Sequence, residues 1–182
     1  WTTETVRQWR IGLKGTRYTI PVFDADRRCR NLRLYRPDPP EGESKFLSYG
    51  KGYGQNRLFN EAALAHEAVL LVEGEPDVIT LSQYGFDNAL TTTLGAGNWS
   101  RAFNEGFRGK DVVVIYDIDD AGKDGARKVA AELTGIARST AVIDLPLALT
   151  DHPHGDVSDF LREHDAGALH DLVSAAAPRR GE

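Results

Sequence analysis

Residues 68–77 read Ala-Val-Leu-Leu-Val-Glu-Gly-Glu-Pro-Asp, and the predicted architecture of the chain follows from this segment. Five apolar residues in succession, 68–72, are typical of a parallel strand that is covered on both faces. Glu73 and Gly74 then end the strand. Pro76 fits the first turn of a helix because its fixed φ and missing N–H cost nothing there. The segment predicts a strand, a tight turn and a helix, with an acidic residue at the carboxyl end of the strand.

The same alternation continues toward the carboxyl terminus. Apolar runs predict further strands at 89–93, 111–118 and 140–145, and apolar residues at helical spacing predict helices between them. Strands that alternate with helices favour an α/β fold, with a parallel sheet flanked by helices and right-handed crossovers. Toward the amino terminus, 18–23 and 31–35 are rich in aromatic and β-branched or aliphatic residues and predict the strands of a small α+β lobe.

Composition narrows the class of protein. The 182 residues are 41% hydrophobic and 27% charged, and the longest apolar runs are far too short to cross a bilayer, so we expect a soluble protein with no membrane partner. The single cysteine, Cys29, excludes an internal disulfide or a four-cysteine zinc site and fits a reducing cytoplasm. The chain has no methionine and starts at Trp1, so we expect a piece of a longer protein.

Charge is divided unevenly along the chain. The net charge is -5, but residues 1–60 carry 12 Lys and Arg against 6 Asp and Glu, whereas residues 61–182 carry 10 against 21. A basic lobe beside an acidic one suggests that the first handles a polyanion and that the second gathers metal ions. Solvated surface charge is the alternative interpretation.

Three acidic groups follow predicted strands, at the edge where an open parallel sheet binds its ligands. Glu73 follows the first strand, Asp117 and Asp119 close the third, and Asp156 and Asp159 follow the fourth. Strand alternation would place Asp117 and Asp119 on one side, where both carboxylates can face one ion. Carboxylates this close favour a bound cation such as Mg²⁺, and two ions about 4 Å apart support phosphoryl transfer. For Asp156 and Asp159, helix capping is the alternative.

Two short motifs carry most of these acids. Residues 73–77 read Glu-Gly-Glu-Pro-Asp, and residues 117–119 read Asp-Ile-Asp. They match Glu-Gly-x-x-Asp followed by Asp-x-Asp, the signature of the TOPRIM domain of bacterial-type primases, topoisomerases and some nucleases, and this part of the chain resembles that domain. Leu-Gly-Ala-Gly at 94–97, Asp-Ala-Gly-Lys at 120–123 and Gly-Asp-Val-Ser-Asp at 155–159 are similar to further motifs of the family. The resemblance implies a Rossmann-like parallel sheet flanked by helices.

Motifs in the amino-terminal part resemble one particular group of TOPRIM proteins. Trp-Arg-Ile-Gly at 9–12, Ile-Pro-Val-Phe-Asp at 20–24, Ser-Lys-Phe-Leu-Ser at 44–48 and Arg-Leu-Phe-Asn at 57–60 resemble the first lobe of the RNA polymerase domain in DnaG-type primases and phage primase-helicases. The family's organisation implies three parts in this chain. These are a basic amino-terminal lobe at 1–67, a TOPRIM domain at 68–166, and a terminal helix and linker at 167–182.

The resemblance implies a primase catalytic core, which is a nucleotidyltransferase of the DNA-directed RNA polymerase type that makes short RNA primers for DNA replication. It implies two Mg²⁺ or Mn²⁺ ions as cofactors and no zinc in this fragment. The implied partners are a single-stranded DNA template, ribonucleoside triphosphates and a replicative helicase, either fused or separate. The implied location is the cytoplasm of a bacterial host cell.

Family motifs also assign roles to residues. Catalysis falls to Glu73, Asp117 and Asp119, with Asp156 and Asp159 joining them as metal ligands, and Glu73 could act as a ligand or as a proton-transfer group. Asp77 is expected to support these ligands, and the five histidines are expected to be surface or structural residues. The residues assigned to nucleotide binding are Lys45, Lys51, Gly95 and Lys123. Side-chain chemistry rather than a motif predicts the DNA contacts: Arg30, Arg33, Arg36 and Arg57 would follow the template backbone, and Tyr49 or Tyr53 would stack on a base.

Two other functions stay open from the sequence. A non-catalytic nucleic-acid-binding module of a helicase would be expected to lose its carboxylates, whereas all of them are present here. A TOPRIM nuclease is the second, but the basic lobe ahead of residue 68 suits a primase better. For the arginines, charge that protects an exposed edge strand is the alternative role. The zinc module of such primases has no counterpart in these residues.

Overall fold

The structure is a computed structural model that describes residues 1–50 and 52–176. An antiparallel sheet forms its amino-terminal part. A short helix, α1 (Thr3–Gln8), precedes the sheet and is capped by the Thr2 hydroxyl, which accepts the N–H of Thr5 at 3.1 Å. The strands, in their spatial order, are β1 (Gly12–Lys14), β2 (Arg17–Phe23), β3 (Cys29–Tyr35) and β4 (Phe46–Ser48). The strands predicted at 18–23 and 31–35 are confirmed, and β1 and β4 are additions from the structure.

A second, mostly parallel sheet forms the rest of the core. Its strands are β5 (Leu58–Phe59), β6 (Ala68–Val72), β7 (Ala89–Thr92), β8 (Asp111–Ile115) and β9 (Ser139–Val142), and their spatial order is β5-β7-β6-β8-β9. Strands β6 to β9 are parallel, and β5 is antiparallel to β7. The helices are α2 (Glu75–Gln83), α3 (Asp120–Leu133), α4 (Val157–Glu163) and α5 (Ala166–Ala176). The predicted α/β fold, with a parallel sheet flanked by helices, is confirmed.

The parallel sheet separates two apolar layers. Leu70 and Val72 of β6 face a layer that also holds α2, α4, α5 and the inner face of the antiparallel sheet. Val69 and Leu71 point the other way, toward α3 and the 3₁₀ segment Arg101–Phe107. Residues of both sets are buried, as expected for a parallel strand covered on both faces. Within the described residues, no helix is both long and apolar enough to span a membrane.

Two predicted strands are shorter in the structure than the sequence suggested. β8 ends at Ile115 rather than at residue 118, because Asp119 starts α3 by accepting the N–H of Gly122 at 2.8 Å. The chain must therefore leave the sheet before that residue. β9 ends at Val142 rather than at residue 145, and the buried Leu145 belongs to the connection that follows. In both cases, buried apolar residues of a loop extended the strand-like pattern.

The two sheets share a core across the boundary predicted at residue 67. β5 lies before that boundary, yet Leu58 and Phe59 pair with Thr92 and Thr91 of β7. The Phe59 ring stacks on Trp9 at 5.1 Å between centroids. At the other end, Leu169 of α5 is fully buried in the same layer, and residues 177–182 of the predicted linker lie outside the described residues. Part of the predicted lobe thus belongs to the parallel sheet.

Replacing Phe59 with Ala is expected to destabilise the whole chain by about 3–5 kcal/mol, because it empties a ring-sized volume in the layer that both sheets share. Chemical denaturation followed by circular dichroism measures the change. The matched control is Leu13→Ala, at a side chain that is 70% exposed, which should change the free energy of unfolding by less than about 0.5 kcal/mol. Equal stabilities of the two variants would contradict a shared core.

Candidate active site

Two neighbouring parallel strands bring the first carboxylates together. Val72 of β6 lies opposite Ile115 of β8, so the residues that follow these strands leave the sheet side by side. The N–H of Asp117 donates to Glu73 Oε2 at 3.2 Å. Glu73 and Asp117, predicted from different motifs, therefore meet at the carboxyl edge of the sheet.

Close backbone contacts hold the loop that carries Asp117. A Cβ placed on Gly122 would lie 2.3 Å from the carbonyl oxygen of Asp117, so only glycine allows α3 to start this close to the loop. The N–H of Ile118 donates to the carbonyl of Gly155 at 2.9 Å, which joins this loop to the segment that leads into α4. Asp156 thereby comes near Asp117.

The predicted capping alternative for the last acidic pair is also observed. Asp156 Oδ1 accepts the N–H of Asp159 at 2.8 Å, and Asp159 Oδ2 accepts the N–H of Asp156 at 3.3 Å, which is a capping box at the start of α4. Asp159 also pairs with Arg162. Asp77 is buried, and it accepts hydrogen bonds from Ser158 Oγ at 2.9 Å and from the N–H of Gly74 at 3.2 Å.

Burial and mutual repulsion dominate the electrostatics of this edge. Burial raises the pKa of Asp117 to about 8, and the charges of Glu73, Asp156 and Asp119 add to the shift. Burial likewise raises the pKa of Glu73 and of Asp156. The pKa of Asp77 is raised as well, first by burial and then by the charges of Asp156 and Asp117. These carboxyl groups lie close enough to oppose one another's ionisation.

Asp119 differs from the other carboxyl groups. The hydrogen bond from Gly122 lowers its pKa, and so does its contact with His154, whose Nδ1 lies 2.6 Å from Asp119 Oδ2. His154 is exposed, as expected for a surface histidine, and it also contacts the site through Asp119. Its position two residues before Asp156 was the one signal for this in the sequence.

The chemistry of the site fits a hard divalent cation. Carboxylate oxygens are the ligands that Mg²⁺ and Mn²⁺ prefer, and a cation would relieve the repulsion that raises the pKa of Asp117 and its neighbours. Among residues 1–50 and 52–176, no three His, Cys, Asp or Glu side chains already stand close enough together to hold a metal ion.

One predicted nucleotide-binding lysine lies at the acidic edge. The charge of Lys45 lowers the pKa of Glu73, Asp117 and Asp156, so this ammonium group is near all three. The carbonyl of Lys45 is held by the N–H of Arg36 at 3.0 Å and by Arg17 Nη1 at 3.3 Å.

The structure describes two of the other three predicted nucleotide-binding residues. Gly95 lies in the turn after β7 with φ at +74°, a conformation that glycine adopts readily. Lys123 lies in the first turn of α3 and is half-buried. Lys51 lies outside the described residues.

The predicted DNA-binding residues divide into surface groups and one buried group. Arg30 is exposed and pairs with Asp24 at 2.6 Å, Arg36 is half-buried near Glu43, and Arg57 donates to Gln55 Oε1 at 2.7 Å. Arg33 is buried, because its guanidinium pairs with Glu75 at 2.9 Å. The prediction that Arg33 follows a DNA backbone is therefore wrong.

The two predicted stacking residues form a surface group with a cation that the sequence analysis did not single out. Tyr49 and Tyr53 are exposed, and their ring centroids are 6.3 Å apart. Lys14 Nζ lies 3.9 Å from the Tyr49 ring centroid. Lys14 comes from β1, a strand that was not predicted, so no spacing in the sequence linked it to the tyrosines.

Comparison with known proteins agrees with this fold. The model of the Toprim-like family matches residues 70–161, which is half of the chain. The chain belongs to the Toprim-like family. All five predicted site carboxylates, from Glu73 to Asp159, lie within the matched Toprim segment.

Primases are among the proteins that the chain resembles. A DNA primase from Buchnera aphidicola (subsp. Acyrthosiphon pisum) is 43% identical over 61 residues, which are 33% of this chain and 10% of that primase. The solved DnaG catalytic core matches with a TM-score of 0.77 at 20% identity, over 97% of this chain and 70% of that chain. A DnaG primase catalytic domain bound to single-stranded DNA matches with a TM-score of 0.70 at 21% identity, over 90% and 52%. The fold is that of DnaG-type catalytic cores, as predicted.

Replacing Asp117 with Asn is expected to flatten the pH dependence of stability in the metal-free protein. Burial raises the pKa of folded Asp117 to about 8, whereas an unfolded Asp has a pKa of about 3.9. Between these values the folded state keeps a proton that the unfolded state has lost, so the free energy of unfolding falls as the pH rises. Thermal denaturation with a chelator, from pH 4 to pH 8, measures the slope.

Asp124→Asn is the control for this measurement, because Asp124 lies on the surface of α3 in a pair with Arg127 at 3.1 Å. At pH 8 the Asp117 variant should melt above the wild type, and a gain of about 1 kcal/mol corresponds to about 2–4 °C for a domain of this size. Adding Mg²⁺ should stabilise the wild type more than the variant. Parallel curves for the wild type and Asp117→Asn would contradict the electrostatic description.

Proposed function

We propose that this chain is the catalytic core of a primase, a metal-dependent nucleotidyltransferase that joins ribonucleotides on a single-stranded DNA template. The activity belongs to the whole protein, and the chain spans only 10% of its curated primase relative. Three features support it: membership in the Toprim-like family, the DnaG-type fold, and the acidic edge described above. The experiments below test this proposal against two alternatives, a Toprim nuclease and a non-catalytic nucleic-acid-binding module.

The observation that carries the proposal is the position of Lys45 near the acidic edge. Lys45 comes from the antiparallel sheet, yet its charge reaches Glu73, Asp117 and Asp156. A metal-complexed triphosphate could bind at such a site, because the carboxylates would bind its metal and the lysine would bind its phosphates. Nucleotide joining requires this combination, because the reaction builds negative charge on the phosphates.

Metal binding is proposed for the carboxylates at the ends of β6 and β8 and at the start of α4. Asp117, Asp119 and Asp156 would hold Mg²⁺ or Mn²⁺, with Asp159 as a further ligand, and we propose two ions as in other phosphoryl-transfer sites. When bound, the metal would stabilise charge on the phosphate oxygens. Asp77 would support these ligands through Ser158 and Gly74, to which it is hydrogen-bonded.

In the proposed step, a primer 3′-hydroxyl oxygen bonds to the α-phosphorus of a nucleoside triphosphate. The bond from that phosphorus to the bridging oxygen breaks, and pyrophosphate leaves with the electron pair. Glu73 would take the hydroxyl proton or act as a further ligand, and its raised pKa suits it to hold a proton. Lys45, Lys51 and Lys123 would bind the phosphates, with Gly95 shaping the adjacent turn.

The template is proposed to follow the antiparallel sheet. Tyr49 and Tyr53 would stack on bases, and the nearby Lys14 would meet a phosphate. Arg30, Arg36 and Arg57 are the remaining backbone contacts of the proposal. A replicative helicase, fused or separate, and the cytoplasm of a bacterial host complete the proposed setting.

Asp119→Asn should abolish extension of a ribonucleotide primer annealed to single-stranded DNA. Asn caps a helix as well as Asp does, so α3 should still start at this position. The variant loses one negative oxygen ligand, and we expect at least about a 100-fold lower rate. Labelled nucleoside triphosphates with Mg²⁺ or Mn²⁺ measure the rate, and the supplied primer removes the need for a zinc module.

The control for the extension experiment is Asp124→Asn, whose carboxylate lies on the outer surface of the same helix. It should extend primers like the wild type. Unchanged synthesis by Asp119→Asn would refute the metal assignment. Strand cleavage by the wild type would favour the nuclease, and DNA binding without extension would favour the non-catalytic nucleic-acid-binding module.

Lys45→Gln should lower the extension rate by about 100-fold without weakening DNA binding, because the cation acts on the triphosphate. It should also raise the pKa of Glu73, Asp117 and Asp156, since the charge of Lys45 lowers all three. Carboxyl-carbon NMR titration of the metal-free protein measures that effect independently of activity. Lys128→Gln, on the exposed side of α3, is the control. If the carboxyl pKa values of Lys45→Gln matched those of the wild type, the placement of Lys45 near these carboxylates would be wrong.

A further inference from the structure

A buried ion pair connects the two parts of the chain. Arg33 Nε lies 2.9 Å from Glu75 Oε1, and the two side chains are only 8% and 4% exposed. Arg33 is in the middle of β3 in the antiparallel sheet, and Glu75 is the first residue of α2, next to the parallel sheet. The pair therefore spans the interface between the sheets.

Each partner of the pair lies close in the chain to a proposed active-site residue. Glu75 follows Glu73 by two residues, through the turn that ends β6. Arg33 lies opposite Ser48 in the β3–β4 ladder and donates to its hydroxyl at 3.4 Å, and its guanidinium lies 5.2 Å from the Phe46 ring. β4 begins directly after Lys45. The pair thus connects the strand that follows Lys45 to the turn that follows Glu73.

Stability alone does not account for the pair. Burial raises the pKa of Glu75, which shows that its ionised form is costly there. A buried ion pair of this kind is often no more stabilising than two apolar side chains of similar volume, because desolvation offsets the attraction. The neighbouring Ile20, Tyr35 and Phe46 are apolar or aromatic, so an apolar pair would suit the surroundings. What the ion pair adds is a directional contact with a fixed length.

We propose that Arg33 and Glu75 are positioning residues that fix β4, and with it Lys45, relative to the Glu73 turn. Neither residue touches the nucleotide in this proposal. They act by holding Lys45 and the acidic edge at the separation that the joining reaction needs. The activity measurement rests on the primase function proposed above, whereas the structural measurement does not.

The decisive variant is the double substitution Arg33→Met with Glu75→Met, which removes both charges and keeps unbranched side chains of similar volume. It should melt within a few degrees of the wild type, because no uncompensated charge is left buried. We expect kcat for primer extension to fall at least about 10-fold, since small displacements of positioned groups are costly, while DNA affinity is unchanged. Full wild-type kcat in the folded double variant would overturn the proposal.

The matched control removes an ion pair that is remote from β4. Arg101 pairs with Glu132 through two hydrogen bonds of 2.9 Å, and the Arg101 side chain is largely exposed. Arg101→Met with Glu132→Met should leave both the extension rate and the melting temperature near the wild-type values. A loss of kcat equal to that of the buried double variant would overturn the proposal, because loss of any ion pair would then have the same effect.

Hydrogen exchange tests the positioning without any activity. In the Arg33–Glu75 double variant, β4 and the N–H of Tyr49, which donates to Leu32 at 2.9 Å, should exchange at least about 10-fold faster. Amides of β6 and β8 should keep their wild-type rates. If the wild type proves unable to extend primers, the proposed function fails while this result still decides the positioning role. Unchanged exchange in β4 would overturn it.

A second variant covers the case in which the double variant does not fold. Glu75→Asp keeps both charges and shortens the reach of the carboxylate by one methylene group. It should fold and should show a smaller loss of kcat, with faster exchange confined to β4 and Tyr49. Wild-type behaviour of Glu75→Asp in both measurements would overturn the proposal.

Discussion

Repulsion among carboxyl groups at the end of β6 and β8 sets the conditions for the rest of the structure. The parallel register that places Val72 beside Ile115 also places Glu73 beside Asp117, and α4 brings Asp156 to the same edge. Burial makes ionisation of these groups costly. Neighbouring groups offset part of this cost. Backbone N–H groups, Lys45 and the start of α3 all place positive or partially positive groups near the carboxylates.

Strong local patterns made much of the fold predictable from sequence. The runs at 68–72 and 112–115 are continuous and apolar, so the strands that contain them were found correctly. Short strands such as β4 and β5 have too few residues to show a period, and only tertiary pairing defines them. Asp117 and Asp119 do converge, but a loop and a helix cap place them there rather than strand alternation.

Charge proved harder to interpret than hydrophobicity. Arg33 belongs to a basic segment and was assigned to the surface, although its partner lies 42 residues away in the chain and draws it into the core. His154 and Lys14 were missed for the same reason, since their contacts with Asp119 and Tyr49 join distant segments. Composition reports how many charges a lobe carries. The structure is needed to tell which of them face solvent, which face a ligand and which face one another.

Asp119 and Asp156 each perform two tasks with one side chain, because both cap a helix and both carry charge at the proposed site. Asparagine caps helices equally well. A single base change converts an aspartate codon into an asparagine codon. Descendants of this chain are therefore one point mutation from losing the proposed chemistry while keeping their fold, and this evolutionary route to a folded domain without the proposed activity is open at two positions.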